Sequence, residues 1–179
     1  MMTVYQIEPI TKEYIIGFRE AVDIICREKK YFDYPYAPPL EKMRRYVLNN
    51  IKHKYPHFVV IKSDSVIGWC DVLPSLEPIN SHCGTLWIGL LPEYRGRGIG
   101  DKLIQRTLDA AFEFGMTRIE LTVREQNSRA ILFYKKHGFK INKLYRDAVL
   151  MGEKYENIYS MVLQSNCSVT KNDNIEAKS

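Results

Sequence analysis

Residues 95–100, Arg-Gly-Arg-Gly-Ile-Gly, combine three glycines and two arginines within six positions. An apolar segment at 84–91 precedes them, and a helical pattern at 101–114 follows. Glycines allow the backbone to turn tightly, so that several N–H groups at the start of a helix point toward one anion. Arg95 and Arg97 add full positive charges. The segment therefore has the chemistry of a pyrophosphate site, although a surface turn would have the same composition.

A second set of residues lies further along the chain and completes a recognisable pattern. Asn127, Ala130 and Tyr134 stand at spacings of three and seven, and His-Gly-Phe follows at 137–139. With the pattern Arg-x-x-Gly-x-Gly at 95–100, this arrangement resembles the GNAT-type N-acetyltransferase superfamily. The resemblance is close over 84–140 and extends in element order over the whole chain. Two other phosphate motifs do not match, because GxGxxG would need a glycine at position 101 and no GxxxxGK loop occurs.

The resemblance implies a binding site for acetyl-CoA, used as co-substrate without a metal. Main-chain N–H groups of 95–100 would hold its pyrophosphate, and the end of strand 84–91 would pair with its pantetheine arm. That strand would diverge from strand 118–123 through a bulge, and an N–H near Leu90 would stabilise the oxyanion. The cofactor-binding residues implied in this way are Leu90, Leu91, Arg95, Gly96, Arg97, Gly98, Ile99, Gly100, Asn127, Arg129 and Tyr134.

Tyr134 matches the family's general acid, which protonates the departing thiolate of CoA. A phenol with a pKa of about 10 is a suitable donor, although Tyr134 could instead be a core residue of its helix. The general base is less defined, because the strand Gly-Thr-Leu-Trp-Ile-Gly-Leu-Leu at 84–91 lacks the glutamate that many members carry. Asp71 and His82 are the nearest candidates, and each could be an ordinary surface residue. Water could also accept the proton, or the amine could bind already neutral.

The acceptor pocket is expected from the first two helices and the segment between them. Its predicted lining residues are Tyr31, Phe32, Trp69, Asp71 and Trp87. The same aromatic, proline-rich segment could equally belong to the core or to a homodimer contact. The stretch 146–161 resembles the C-terminal hairpin of the phosphinothricin and amino-acid acetyltransferases. This favours a small amine or amino acid over a protein N-terminus as the acceptor.

Two function classes other than catalysis would use parts of the same sequence. A CoA-binding regulatory module would retain the glycine segment, but it would not need a proton donor at Tyr134. Nucleic-acid binding is disfavoured because the net charge is only +5, acidic residues alternate with the arginines, and no recognition motif occurs. The cysteines form no CxxC pair, which argues against zinc and against a disulfide framework. No signal peptide or membrane span is evident, so we expect a cytoplasmic protein.

The periodicities predict a single α/β domain over 1–164, followed by a polar tail at 165–179. About six to seven strands are expected in one mixed central sheet, flanked by about four helices, and the family resemblance implies that splayed strands hold the cofactor. A second helix is predicted to begin near Pro39 and to run through Met43, Val47 and Ile51. Strand 84–91 is almost continuously apolar, which predicts cover on both faces.

Overall fold

In a computed structural model of the chain, residues 4–31 and 34–165 can be described, and they form one sheet with helices on both faces. Three short 3₁₀ turns lie at Lys12–Tyr14, Pro78–Asn80 and Pro92–Tyr94. The main elements are β1 (Gln6–Pro9), α1 (Ile15–Arg27), α2 (Leu40–His53), β2 (His57–Lys62), β3 (Ser65–Pro74), β4 (Cys83–Leu90), α3 (Ile99–Glu113), β5 (Arg118–Arg124), α4 (Ser128–Lys136), β6 (Lys140–Met151) and β7 (Lys154–Gln164). This architecture confirms the predicted fold class.

The sheet has seven strands in the order β1-β2-β3-β4-β5-β7-β6. Every neighbouring pair is antiparallel except β4 and β5, which are parallel. The antiparallel β2–β3 hairpin turns at Ser63 and Asp64, which both adopt positive φ as the tight turn requires. A parallel pair needs a long connection, and here α3 supplies it.

Side chains of β3 show how the helices divide between the two faces. Trp69 packs edge-on against Phe18 of α1, and Asp71 accepts a hydrogen bond from Tyr46 of α2. Because neighbouring residues of a strand alternate, Cys70 lies on the opposite face, where its thiol meets Thr107 of α3. The α1–α2 layer and the α3–α4 layer therefore enclose the sheet between them.

The helices mostly bury the residues that their spacing predicts, with one difference in α2. Met43 and Val47 are buried, but Ile51 is 39% exposed and the neighbouring Asn50 is buried in its place. Asn50 is held inside by a hydrogen bond between its Nδ2 and the Nδ1 of His57. A polar contact therefore sets the rotation of the last turn of α2, and the predicted helix is present with Ile51 partly exposed.

Strands β4 and β5 separate soon after they begin, and this separation leaves a gap in the sheet. They pair only at Cys83–Arg118, Gly84–Ile119 and Thr85–Glu120. Their remaining residues diverge, whereas β4 stays in uninterrupted register with β3 from Gly84 to Leu90. The predicted splay is present, but the predicted bulge is absent from this pairing.

The expectation that β4 is covered on both faces is wrong. Thr85 and Trp87 are exposed, and the exposed fraction of Trp87 is 44%. Both point to the α1–α2 side of the sheet, the face that Trp69 and Asp71 share. The residues of β4 are thus exposed on one face of the strand and pack in the core on the other.

Candidate active site

A cavity of about 410 Å³ lies in the gap between β4 and β5. Ten of the residues predicted for the site line it: Tyr31, Trp87, Leu90, Arg95, Gly96, Gly98, Gly100, Asn127, Arg129 and Tyr134. Six others lie outside its lining: Trp69, Asp71, His82, Leu91, Arg97 and Ile99. Phe32 lies outside the described residues. The cavity extends through the gap between β4 and β5, from the glycine segment to the aromatic residues predicted to line the acceptor pocket.

The main chain of β4 presents hydrogen-bonding groups to this cavity. Leu91 donates its N–H to the carbonyl of Ile67 on the β3 side at 2.9 Å. In an antiparallel pair these directions alternate, so the N–H and C=O groups of Ile88 and Leu90 point the other way, into the gap. An extended ligand chain can therefore pair with Ile88 and Leu90. Leu91 cannot take part as predicted, because its N–H is already used.

The glycine segment forms the start of α3 with its amides open. Gly96 and Gly98 both have φ of +75°, a conformation that few other residues adopt. The first helical N–H with a backbone acceptor is that of Lys102, which donates to the carbonyl of Gly98 at 3.4 Å. Within this segment, the N–H groups of 96–101 have no backbone acceptor and can bind an anion. A Cβ at Gly98 would meet nothing within 4 Å, so the approach is unobstructed.

The structure does not support the role expected for Arg95 as a phosphate ligand. Its backbone N–H donates to the carbonyl of Pro92 at 3.2 Å. Its guanidinium forms two hydrogen bonds to the carboxylate of Glu28, at 2.8 and 2.5 Å, and a third to the carbonyl of Leu90 at 2.7 Å. Glu28 also raises the pKa of Arg95. The positive charge of this arginine is thus already paired.

Two other arginines remain near the open amides. Arg97 is exposed, outside the cavity lining. Arg129, from the first turn of α4, lies close to the glycine segment, with its Nη2 3.1 Å from where a Cβ at Gly96 would stand. Ile99 is buried, so only its backbone N–H can contribute to binding. These two guanidinium groups are the charged groups that can supplement the amides.

Helix α4 forms the wall of the cavity that faces β4. Asn127 caps its start by accepting a hydrogen bond from the N–H of Ala130 at 3.2 Å, and it also lines the cavity. Tyr134 is partly buried, with its ring against Phe133 and Phe139. The phenol of Tyr134 is protonated at neutral pH, and burial raises its pKa, which makes it a weaker acid than an exposed tyrosine. A protonated hydroxyl beside the gap can donate a proton.

Comparisons with known proteins agree with this geometry. A family model described as Acetyltransferase (GNAT) family matches residues 20–139. The chain belongs to this family. An uncharacterized N-acetyltransferase of Mycobacterium bovis is 41% identical over 75 residues, which are 41% of this chain and 46% of that protein. The chain thus spans less than half the length of this GNAT relative.

A second curated GNAT relative aligns over a longer segment. N-alpha-acetyltransferase 30 of Schizosaccharomyces pombe is 31% identical over 110 residues, which are 59% of this chain and 73% of that protein. Among solved structures, a GNAT superfamily phosphinothricin acetyltransferase from Sinorhizobium meliloti, in complex with AcCoA, superposes with a TM-score of 0.83. It shares 16% identity and covers 91% of this chain and 89% of its own. At that identity the likeness shows the fold.

Two predicted residues of this GNAT chain, Trp69 and His82, have other surroundings than expected. Trp69 is 3% exposed and lies beneath β4, where a Cβ on Gly89 would stand 2.3 Å from its ring. His82 precedes the closed end of the β4–β5 pair, and its carbonyl accepts from the N–H groups of Thr117 and Arg118. His82 therefore lies at the end of β4 that is away from the gap, and Trp69 is buried in the core.

Asp71, the other candidate base, belongs to a buried polar cluster. Its carboxylate accepts from the hydroxyl of Tyr46 and lies 3.9 Å from Nδ1 of His57, which in turn contacts Asn50. Asp71 is 1% exposed, and burial raises its pKa to about 7. Trp87 is its cross-strand neighbour on the same face. The carboxyl is thus one side chain removed from the cavity.

Sequence reasoning missed several residues of the site. Glu28 pairs with Arg95, Phe133 lies 3.5 Å from a Cβ position at Gly100, and Asp101 binds Lys136 and His137. The Asp101 contacts, at 2.7 and 2.9 Å, join the start of α3 to the end of α4. Only the position of Phe133, beside Tyr134 on the same helix, could have been noticed in the sequence.

Within 4–31 and 34–165, no helix combines the length and the apolar character needed to cross a bilayer. The same residues contain no group of three or more potential metal ligands.

Proposed function

We propose that this chain is an N-acetyltransferase that moves the acetyl group of acetyl-CoA to a primary amine by direct attack in a ternary complex. One observation carries the proposal: β4 and β5 open onto a cavity that joins unpaired helix-start amides, the main-chain edge of β4 that faces the gap, and the hydroxyl-bearing Tyr134. These three features match the pyrophosphate, the pantetheine amides and the thioester sulfur of acetyl-CoA in their chemistry.

The residues of the site would act in sequence during the reaction. The amides of 96–101, with Arg97 and Arg129, would bind the pyrophosphate. The groups of Ile88 and Leu90 would align the thioester arm, and a main-chain N–H on this edge would stabilise the oxyanion formed when the amine attacks. As the carbon–sulfur bond breaks, Tyr134 would donate its phenolic proton to the sulfur and recover one from solvent.

Water is our proposed acceptor of the amine proton. Among the described residues that line the cavity, the only carboxylate is Asp101, which is bound to Lys136 and His137. Asp71 lies behind Trp87, and its raised pKa leaves it partly protonated at neutral pH. Neither carboxyl group is placed to accept a proton directly from the acceptor.

A small amine or amino acid is the acceptor that we propose. The α1–α2 side of the cavity is walled by Ile25, Tyr31, Tyr34 and Trp87, which would enclose a small apolar body. A peptide N-terminus is the second candidate, and the similarity to N-alpha-acetyltransferase 30 favours it.

Release of free CoA thiol from acetyl-CoA, measured against amino acids, polyamines, aminoglycosides and short peptides, tests this proposal. Tyr134→Phe should lower kcat by about 10²-fold or more, because general acid catalysis contributes that much, while calorimetry gives an unchanged Kd for acetyl-CoA. Tyr155→Phe, at an exposed tyrosine outside the cavity lining, is the matched control and should behave like the parent chain. Equal loss of turnover in both variants, or none in Tyr134→Phe, would remove the assignment of Tyr134.

A further inference from the structure

The pairing of Arg95 joins two parts of the site that are distant in sequence. Its Nη1 and Nη2 bind Oε2 and Oε1 of Glu28 at 2.8 and 2.5 Å, in a two-pronged ion pair. Its Nε binds the carbonyl of Leu90 at 2.7 Å. The two side chains are 18% and 21% exposed, so solvent screens this pair less than an ordinary surface pair.

The same guanidinium also contacts the acceptor wall. Its central carbon lies 5.0 Å from the ring centroid of Tyr31, and its Nη1 is 3.4 Å from the tyrosine hydroxyl. Glu28 directly follows the last residue of α1 and caps that helix, and Tyr31 follows three positions later. One side chain therefore fixes the end of β4, the end of α1 and an aromatic wall of the cavity.

We infer that Arg95 is a positioning residue that holds the acceptor side of the cavity against the open edge of β4, and that it does not bind phosphate. The inference rests on the proposed function. Its three hydrogen-bonding nitrogens are used by Glu28 and Leu90, whereas Arg97 and Arg129 lie near the open amides. The carbonyl of Leu90 is likewise occupied, so the edge available to a ligand is defined by Ile88 and the N–H of Leu90.

If Arg95 has this role, substitution of Arg95 should affect the acceptor amine, whereas substitution of Arg97 should affect acetyl-CoA. Arg95→Gln should raise the acceptor KM by about tenfold or more, because Tyr31 and the chain after α1 lose their anchor. The Kd of acetyl-CoA should stay within about threefold of the parent value. Arg97→Gln should do the reverse, weakening acetyl-CoA in a salt-dependent way with little change in the acceptor KM. A weakening of acetyl-CoA by Arg95→Gln equal to that by Arg97→Gln would overturn the inference.

A double-mutant cycle tests the pair itself. Glu28→Gln should raise the acceptor KM as Arg95→Gln does, and the double variant should be no worse than either single one. Arg95→Lys should not restore the parent KM, since an ammonium cannot bind two carboxylate oxygens and a carbonyl in one plane. Additive effects in the double variant, or full rescue by lysine, would contradict a shared clamp.

A measurement without substrates distinguishes failure of this inference from failure of the proposed function. Hydrogen exchange of the backbone at 28–31 should be faster in Arg95→Gln and in Glu28→Gln than in the parent chain, and unchanged in Arg97→Gln. If the parent chain does not bind acetyl-CoA, the proposed function fails, and the exchange result still decides whether the clamp exists. Unchanged exchange in both clamp variants would overturn it.

Discussion

At the scale of single residues, Asp71 and His57 are buried neighbours whose pKa values move in opposite directions. Burial raises the pKa of Asp71 from 3.8 to about 7 and lowers that of His57 from 6.5 to about 3. Between about pH 4 and pH 6.5, the folded chain holds a proton on Asp71 that the unfolded chain lacks. In the same range it lacks a proton on His57 that the unfolded chain carries. The two contributions to the pH dependence of stability therefore cancel.

Asp71→Asn should expose the contribution of His57. With the acid removed, the unfolded chain binds more protons than the folded chain, so stability should rise with pH from about 3 to 6.5 by up to about 1.4 kcal/mol per unit. Asparagine still offers an oxygen to the hydroxyl of Tyr46. Urea unfolding at pH 4, 5 and 6 would measure the slope, with Asp64→Asn in the exposed hairpin turn as control. Parallel slopes for Asp71→Asn and the parent chain would show that the pair does not compensate.

The surroundings of a residue could be predicted where its neighbours in space are also its neighbours in the sequence. The backbone role of Gly96 and Gly98 follows from their spacing before a helix, and both adopt positive φ. The pairing of Arg95 with Glu28 could not be predicted, because the two are 67 positions apart and neither belongs to a local pattern. Asp71 was predicted as a candidate base or an ordinary surface residue, and its burial could not be predicted because its partners come from α2 and β2.

At the scale of elements, the approach of β3 to β4 depends on Gly89. A Cβ there would lie 2.3 Å from Cη2 of Trp69, whose ring is buried and packs edge-on against Phe18. Because the ring is 3% exposed and packs against Phe18, we expect an added methyl group to displace β4. The edge of β4 that faces the gap carries the groups that would align the cofactor arm, and its position is therefore tied to a glycine of the same strand.

Gly89→Ala should destabilise the chain by about 1–3 kcal/mol and weaken acetyl-CoA binding, because overpacking moves the β4 edge. Chemical denaturation and calorimetry would measure the two effects. Trp69→Phe removes ring volume at the contact, so the double variant should be more stable than the sum of the single changes predicts. Strict additivity would mean that Trp69 does not hold β4 in place.

Element boundaries were largely predictable, because each helix and strand ends at a local signal. Positive φ at Gly115, Gly138 and Gly152 marks the ends of α3 and α4 and the last turn, as the glycines indicated. The exposed face of β4 could not be predicted, since an apolar run looks alike in a buried strand and in the wall of a cavity. The uninterrupted register between β4 and β3 could not be predicted either, because it depends on how one strand pairs with another.

At the scale of the whole molecule, the sheet consists of two parts joined at one end. Strands β1–β4 and strands β5–β7 meet only through the three paired positions at the start of β4 and β5. Beyond them, α3 and α4 hold the parts together, with Asp101 bound to Lys136 and His137. A ligand that fills the gap would add contacts to both parts at once, so binding should stabilise the complete domain.

Acetyl-CoA at 100 times its Kd should therefore raise the unfolding free energy by about 2.7 kcal/mol and Tm by about 5–11 °C. Gly98→Val should abolish this shift, because the side chain distorts the segment and blocks the amides. Gly115→Val is the matched control: it also replaces a positive-φ glycine with open space around it, at the other end of α3. Each variant should cost about 1–2 kcal/mol without ligand, but only Gly115→Val should keep the shift. A retained shift in Gly98→Val would mean that the glycine segment does not hold the cofactor.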